Sequence, residues 1–182
     1  MPWKAQGKAP AGAARGQRLS NEITASFEVD IEHLHKLGAV DPYSKQSLEL
    51  YASGKLASNE RLYFTLWGCA ELNLSLFEPK TRICTAGQPA ESGYFIVTGT
   101  ALGIQGSHIY RLGPGSVIGL AEGIAGIDYA MTVVAVSAVQ VRVMPMGSIN
   151  LLIQNMASGL RGIIRSLVMR TLKLPKPTQQ LL

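Results

Sequence analysis

Closely spaced turn signals in the middle of the chain restrict its fold more than any other feature of the sequence. Gly and Gly-Pro turns recur about every 6 to 12 residues between positions 87 and 126. The segments around and between them are short and rich in β-branched residues, and they cover residues 81–85, 93–98, 101–105, 108–112, 116–118, 131–136 and 139–144. Many short strands at this spacing are typical of a sandwich, a jelly roll or a small barrel.

Helical patterns precede the strand-rich part. Apolar residues recur at helical spacing from position 27 to position 37, and Gly38 provides a stop. A second short helix is predicted over residues 46–52. A third is predicted to start at Ser58 or Asn59, which would cap it. Its predicted apolar side has Tyr63 and Trp67 next to it and comprises Leu62, Leu66, Cys69 and Leu72.

Another helical pattern follows Pro145. Ser148 is predicted to cap one long helix whose broad apolar face continues for more than about five turns, until Pro175 and Pro177 stop it. Basic residues suit the C-terminal part of this helix, and they are Arg161, Arg165, Arg170 and Lys173. The face is wide enough to contact both its own domain and a partner. The predicted partner-docking residues are Ile149, Leu152, Ile153, Met156, Leu160, Ile163, Ile164 and Leu167.

The first 19 residues are predicted to form an extended arm rich in Ala, Gly and Pro. The net charge of the chain is +5, and the arm carries the basic residues Lys4, Lys8, Arg15 and Arg18. The arm is interpreted as a solvated segment, as a dock for an acidic partner, or as a targeting segment with the composition of an organelle transit peptide. No apolar run of about 18 residues predicts a transmembrane helix. The two cysteines form neither a disulfide framework nor a metal motif, which makes a reducing compartment the default. An intracellular, cytoplasmic location is the corresponding expectation, with organelle import as the alternative.

Four marks in the strand-rich part match a known family in order and spacing. They are the segment from Phe77 to Gly87, GYFIVTG at 93–99, LGPGSVIG at 112–119 and TVVA at 132–135. In these marks the chain resembles the cyclic-nucleotide-binding domain family, which includes the sensor halves of catabolite-activator-type and fumarate–nitrate-type regulators and the regulatory subunits of kinases. The resemblance implies a mainly β fold with flanking helices, in which a jelly-roll-like β-roll of about eight strands lies between N-terminal helices and a long C-terminal helix.

The resemblance covers residues 58–173 and completes the predicted organisation of the chain. A basic arm occupies residues 1–19, an N-terminal helical extension occupies 20–57, the β-roll domain with its C-terminal helix occupies 58–173, and a tail occupies 174–182.

The resemblance also implies a ligand pocket at the glycine-rich turn, the phosphate cassette. Members that bind cyclic nucleotides carry an acid directly after the cassette glycine and an arginine before the next strand, and these positions hold Leu120 and Tyr129 here. Two lost hydrogen bonds to charged groups cost roughly 3–6 kcal/mol, which is about two to four powers of ten in dissociation constant. Glu122 lies two residues late for the acid, and Asp128 would repel a phosphate. The candidate residues of this vestigial pocket are Gly119, Leu120, Ala121, Glu122, Tyr129, Ala130, Met131 and Thr132.

Other inputs and activities find little support in the sequence. An iron–sulfur cluster needs about four thiolates, and the chain has two cysteines, Cys69 and Cys84, which are expected to be buried apolar residues. His33, His35 and His108 are expected to be surface residues rather than haem ligands. Catalytic motifs such as GxSxG, HExxH and a P-loop are missing, so the chain is not expected to be an enzyme. No metal or cofactor is predicted, and cyclic AMP and cyclic GMP are disfavoured as ligands.

Two hypotheses of function follow. In the first, the chain is a non-catalytic interaction or assembly subunit whose C-terminal helix and basic arm dock on other protein subunits. In the second, it is a ligand-sensing regulatory module that signals through its C-terminal helix to a separate partner. The resemblance also implies that this helix pairs between two copies of the chain, which is one expected form of assembly. Nucleic acid is not an expected partner, because no helix-turn-helix reader follows the helix.

Overall fold

The computed structural model describes residues 29–182. Within this range the chain forms six α-helices, eight β-strands and one short 3-10 helix. The helices are α1 (Ile31–Lys36), α2 (Lys45–Ala52), α3 (Ser58–Trp67), α4 (Leu120–Ala125), α5 (Met146–Gln154) and α6 (Ser158–Thr171), and the 3-10 helix is Gln179–Leu181. The strands are β1 (Asn73–Phe77), β2 (Arg82–Cys84), β3 (Ser92–Thr98), β4 (Ala101–Gln105), β5 (His108–Leu112), β6 (Val117–Ile118), β7 (Thr132–Ala135) and β8 (Val139–Pro145).

The strands form two antiparallel four-stranded sheets, which confirms the predicted β-roll. One sheet has the order β1-β8-β3-β6, and the other has the order β2-β7-β4-β5. All of the predicted strands are present, and β4 and β5 have the predicted bounds. Strand β1 was not predicted, because Leu72 was assigned to the preceding helix and the strand region was placed from Phe77 onward. Its leucines Leu74 and Leu76 are both exposed, so the strand lacks the usual pattern in which apolar side chains are buried and polar ones exposed.

Two hydrophobic cores lie on opposite faces of the first sheet. Between the two sheets, Ile96, Val133 and Val141 are fully buried in one core. On the outer face of β3, Phe95 and Val97 are fully buried in the second core, against the helices. The alternation of side chains along a strand explains how the apolar run of β3 serves both cores.

The N-terminal helices cover the outer face of the first sheet. Tyr63 of α3 packs its ring 5.8 Å from that of Phe95, and its hydroxyl donates a hydrogen bond to the carbonyl of Val97. The predicted apolar side of this helix is partly confirmed, since Leu66 and Leu72 pack against the core. The helix ends at Trp67, however, and it buries Tyr63 and Phe64 rather than Leu62, which is 45% exposed. Aromatic side chains bury more area than leucines, so they decided which side faces the sheet.

A buried arginine joins the N-terminal helices to the sheet. The guanidinium of Arg142 on β8 donates hydrogen bonds to the carbonyls of Trp67 and Leu72, at 2.6 and 2.8 Å, and to the hydroxyl of Tyr43, at 3.3 Å. Trp67 is the last residue of α3, so the cation also lies at the negative end of the helix dipole. The sequence analysis did not single out this residue.

The predicted long C-terminal helix is in fact two helices. Helix α5 ends at Gln154 and α6 begins at Ser158, with residues of low helix propensity, Asn155 and Gly159, near the break. The predicted cap at Ser148 is also wrong, because α5 starts directly after Pro145 and the carbonyl of Glu91 accepts its first N–H at 2.9 Å. The break allows Ile153 of α5 and Val168 of α6 to be buried in the same core.

The remaining predictions concern the N-terminal part of the chain and membrane-spanning helices. The first two N-terminal helices lie close to their predicted positions, and Gly38 has the positive φ of 89° expected of a stop. The basic residues of the arm, Lys4, Lys8, Arg15 and Arg18, lie outside the described residues, so the arm stays a prediction. Among residues 29–182, no helix combines the length and apolar character that crossing a bilayer requires.

Candidate functional site

Helix α4 of the predicted cassette lies between β6 and β7 and is bounded by two glycines. Gly119 precedes it with a φ of 72°, and Gly126 follows it with a φ of 67°. Both values lie in the left-handed region that favours glycine. The glycines of the sequence motif therefore set the start and the end of this short helix.

The ring of Tyr129 occupies the inside of the cassette turn. A Cβ atom added at Gly119 would overlap the Tyr129 ring, which shows how closely the two residues pack. The hydroxyl of Tyr129 donates a hydrogen bond to the carbonyl of Ser92 at 2.7 Å and accepts one from the N–H of Ser92 at 3.3 Å. Burial is the main cause that raises the pKa of this phenol, so it stays neutral. Tyr129 thus closes the turn with its polar group satisfied.

Glu122 supplies a carboxylate inside the same turn. Its side chain is buried next to the backbone of Ala130. Burial raises the pKa of the Glu122 carboxyl above its usual value, while the backbone of Glu122 and of Ala130 acts on the pKa in the opposite direction. An acid of the chain itself is therefore buried in the cassette.

The roll interior next to the cassette is apolar and closely packed. Met131 is buried, and a Cβ atom added at Gly103 would lie 2.6 Å from its sulfur atom. Burial raises the pKa of the nearby Cys84 thiol to about 12, so that thiol is protonated at neutral pH. Its Sγ donates a weak hydrogen bond to the carbonyl of Met131 at 3.6 Å. Neither side chain offers a charged group to a ligand.

The structure brings most, but not all, of the candidate pocket residues together. Gly119 contacts Tyr129, and Glu122 lies beside the backbone of Ala130. Thr132 contacts the neighbouring turn instead, since its Oγ1 accepts a hydrogen bond from the N–H of Ala86 at 3.0 Å. Asp128 is exposed and forms an isolated β-bridge with Pro89.

Leu120 and Ala121 line a different space, a cavity between α4 and α6. Its volume is about 300 Å³. It is lined almost entirely by apolar groups, from Val117, Gly119, Leu120, Ala121, Glu122, Ile124, Ile164, Leu167, Val168 and Thr171. Sequence analysis did not predict this cavity, because its walls come from segments about 40 residues apart along the chain.

The predicted partner-docking residues fall into two groups. Ile153 is buried, and Ile149 and Ile164 pack against the core of the domain. The others are exposed to solvent, namely Leu152, Met156, Leu160, Ile163 and Leu167. Leu151, which is not one of the predicted partner-docking residues, is also 61% exposed. The outward face of α5 and α6 is therefore unusually apolar for a surface.

The histidines and cysteines do not assemble into a site. His33, His35 and His108 are exposed, as expected. Cys84 is buried as predicted, but Cys69 is only partly buried, and its thiol donates to the carboxylate of Glu71 at 3.2 Å. Residues 29–182 contain no group of three or more His, Cys, Asp or Glu side chains that could hold a metal ion.

Comparison with protein families gives one match. The model of the cyclic nucleotide-binding domain matches residues 74–156, which run from β1 to just past α5. Domains of this family are regulatory rather than catalytic. A search of curated proteins gives no significant match.

Several solved structures are similar in fold. FixK2 from Bradyrhizobium japonicum is 19% identical, and the match covers 56% of this chain and 50% of that chain with a TM-score of 0.44. The EAL enzyme Bd1971 in its cAMP- and cyclic-di-GMP-bound form is 16% identical over 56% of this chain, with a TM-score of 0.48. This match spans only 28% of the enzyme's chain. PKAR CBD2 with bound Sp-2Cl-cAMPS is 13% identical over 72% of this chain and 88% of that chain, with a TM-score of 0.43.

Proposed function

Because residues 74–156 form a domain of the cyclic nucleotide-binding domain family, we propose that this chain is a non-catalytic interaction subunit. In this proposal the cassette no longer binds a cyclic nucleotide, and the domain serves as a scaffold for the docking face of α5 and α6.

The main support for a lost ligand is the position of Tyr129. Its ring packs on Gly119 in the turn where a cyclic phosphate would lie, and its hydroxyl makes two hydrogen bonds to Ser92. A nucleotide would have to displace the ring and break both bonds. Leaving buried polar groups without partners costs about 1–3 kcal/mol each. A ligand must overcome this cost before it gains any contact of its own.

Electrostatics oppose the same ligand. The carboxyl group of Glu122 is buried in the cassette, next to the backbone of Ala130. A phosphate placed there would meet either a like charge or a protonated carboxyl that supplies no positive charge. Leu120 and Tyr129, which stand where binding members carry an acid and an arginine, provide no compensating charge.

The support for docking comes from α5 and α6, which both contact the cassette helix α4. Leu151, Leu152 and Leu160 are each about three-fifths exposed, at 61%, 60% and 58%. Single apolar residues are common on protein surfaces, but several large exposed ones on two consecutive helices are typical of an interaction site. The face is thus suited to bury apolar area against a partner.

Isothermal titration calorimetry with cyclic AMP and with cyclic GMP tests the lost ligand. We expect no binding heat at nucleotide concentrations in the range of about 1 mM. A dissociation constant tighter than about 10 µM for either nucleotide would contradict the proposal. The Tyr129→Ala variant is a useful second sample, because it removes the ring while Glu122 stays in place.

The cavity between α4 and α6 favours a second candidate function, that of a sensor for a small apolar molecule. Its volume of about 300 Å³ is at the lower limit of typical ligand pockets. A ligand there would contact both the cassette helix and α6, and so could shift α6. Binding of such a molecule should be lost in a Val168→Trp variant, whose larger side chain fills the cavity.

A further inference from the structure

We infer that the partner that covers the outward face of α6 is an acidic amphipathic helix that inserts one large apolar side chain between α4 and α6. This inference rests on the proposed function and identifies the chemistry of the partner at the same face.

The outward face of α6 is a narrow apolar stripe that ends in a cation. Leu160, Ile163 and Leu167 are 58%, 57% and 53% exposed, whereas the adjacent Val168 is 6% exposed. Arg170 continues the stripe, and it is exposed as well. The four residues follow one another at spacings of three, four and three, so they lie on one side of the helix. A stripe of this width matches one apolar side of a partner helix.

The cavity adjoins this stripe. Leu167 belongs to both, because its side chain is half exposed on the stripe and also lines the cavity. Leu120 and Ile124 of the cassette helix form the opposite wall. A volume of about 300 Å³ is enough for one leucine or aromatic side chain, and such buried anchors dominate the energy of helix-in-groove complexes.

The charge at the end of the stripe favours an acidic partner. Arg170 is the charged residue on this side of α6, and no Asp or Glu follows Asp128 along the chain. If α6 paired in parallel with α6 of a second copy, the two Arg170 side chains would approach each other. Like charges oppose association, whereas an acid on a partner helix would complement Arg170.

The shape of the site favours a protein helix over a membrane surface. A bilayer surface has no side chain that could enter a cavity beside a stripe one residue wide. Binding to a bilayer would also be strongest for a broad apolar face that lies flat in the membrane interface. On α6 the residues next to the stripe include Gly159, Gly162 and Ser166, which add little apolar area.

The test is a displayed library of amphipathic helices of about four turns, selected against the full chain. Its apolar positions are drawn from Leu, Met and Phe, and its flanking positions are randomised between Glu and Lys. We expect enrichment of Glu at the flanks and of one large apolar residue at the centre. Peptides selected in this way should bind the Arg170→Glu variant at least about tenfold more weakly, and the Ile163→Ser variant still more weakly.

Two variants on β5, in the sheet β2-β7-β4-β5, are matched controls. Ile109 of β5 is 54% exposed, similar to Ile163, and Arg111 of the same strand is exposed like Arg170. Ile109→Ser and Arg111→Glu should bind the selected peptides as the unmodified chain does.

Each contrary outcome overturns the inference in a recognisable way. Selection of no binder, or of Lys and Glu flanks equally, would contradict an acidic partner. A dimer in sedimentation that Ile163→Ser dissociates would assign the face to a second copy and leave the proposed function standing. Binding to anionic vesicles that Ile163→Ser abolishes would assign it to a membrane surface. Binding of cyclic nucleotide in calorimetry would contradict the lost-ligand part of the proposed function without affecting this inference.

Discussion

The two sides of the cassette helix α4 differ in how completely they are filled. On the inner side, Tyr129 packs on Gly119, and its hydroxyl donates a hydrogen bond to the carbonyl of Ser92. On the outer side, Leu120 faces a cavity of about 300 Å³ beside the exposed Leu167. The inner side is thus closed by the chain itself, while the outer side has unused apolar surface. In a six-residue helix the two sides are shaped by different neighbours, so one side can be filled by the chain while the other keeps a cavity.

The largest expected effect comes from a side chain added to the closed side. Gly119→Val puts a β-branched residue at a φ of 72° and against the Tyr129 ring, so we expect the free energy of unfolding to fall by about 2–6 kcal/mol. Urea denaturation measures this change. The control is Gly162→Ala on α6, where an added Cβ has open space and helix propensity favours Ala by roughly 0.5–1 kcal/mol. If Gly119→Val and Gly162→Ala changed the free energy of unfolding equally, the turn at Gly119 would not be closely packed.

A smaller effect is expected when only the phenol hydroxyl is removed. Tyr129→Phe keeps the ring on Gly119 but leaves the carbonyl of Ser92 without this donor, which should cost about 1–3 kcal/mol of unfolding free energy. Denaturation of the variant gives the value. A variant as stable as the unmodified chain would show that the hydroxyl does not help to close the cassette.

Two adjacent residues of α6 separate its inward and outward faces. Val168→Ala removes buried methyl groups and should cost about 1–2 kcal/mol of unfolding free energy. Leu167→Ala, at a position 53% exposed, should change it by only about 0.5 kcal/mol in dilute protein. A large loss of stability at Leu167 would mean that this residue supports the fold rather than a docking face.

The pH dependence of Glu122 gives the smallest and most specific effect. Burial raises the pKa of this carboxyl in the folded chain, so the folded state favours the protonated form relative to the unfolded state. The stabilisation is complete below the ordinary pKa of 4.5 and is lost as the pH rises through the folded value. Relative to Glu122→Gln, which does not titrate at this position, the unmodified chain should therefore gain stability as the pH is lowered towards 4.5. A difference that grows in the opposite direction would mean that hydrogen bonds from the backbone outweigh burial.

Much of the architecture could be predicted from local sequence. Strands β4 and β5 have their predicted bounds, because Gly106 between them has the positive φ that a tight turn needs and both strands carry typical strand residues. The glycines of the cassette were recognisable for the same reason. The missed strand β1 and the break between α5 and α6 have another origin, since Leu74 and Leu76 lack the expected burial and no proline marks the break.

The candidate site shows the limit of local prediction more clearly. The sequence by itself determined that the motif positions hold Leu120 and Tyr129, and the resemblance predicts charged residues there in members that bind cyclic nucleotides. Only the tertiary structure decided that Tyr129 turns inward onto Gly119, and that Leu120 faces outward to α6. Turns and strands depend on the conformational preferences of a few neighbouring residues. The direction of each side chain of α4 depends on packing against segments far away in the sequence, and this packing is what separates the closed side from the open one.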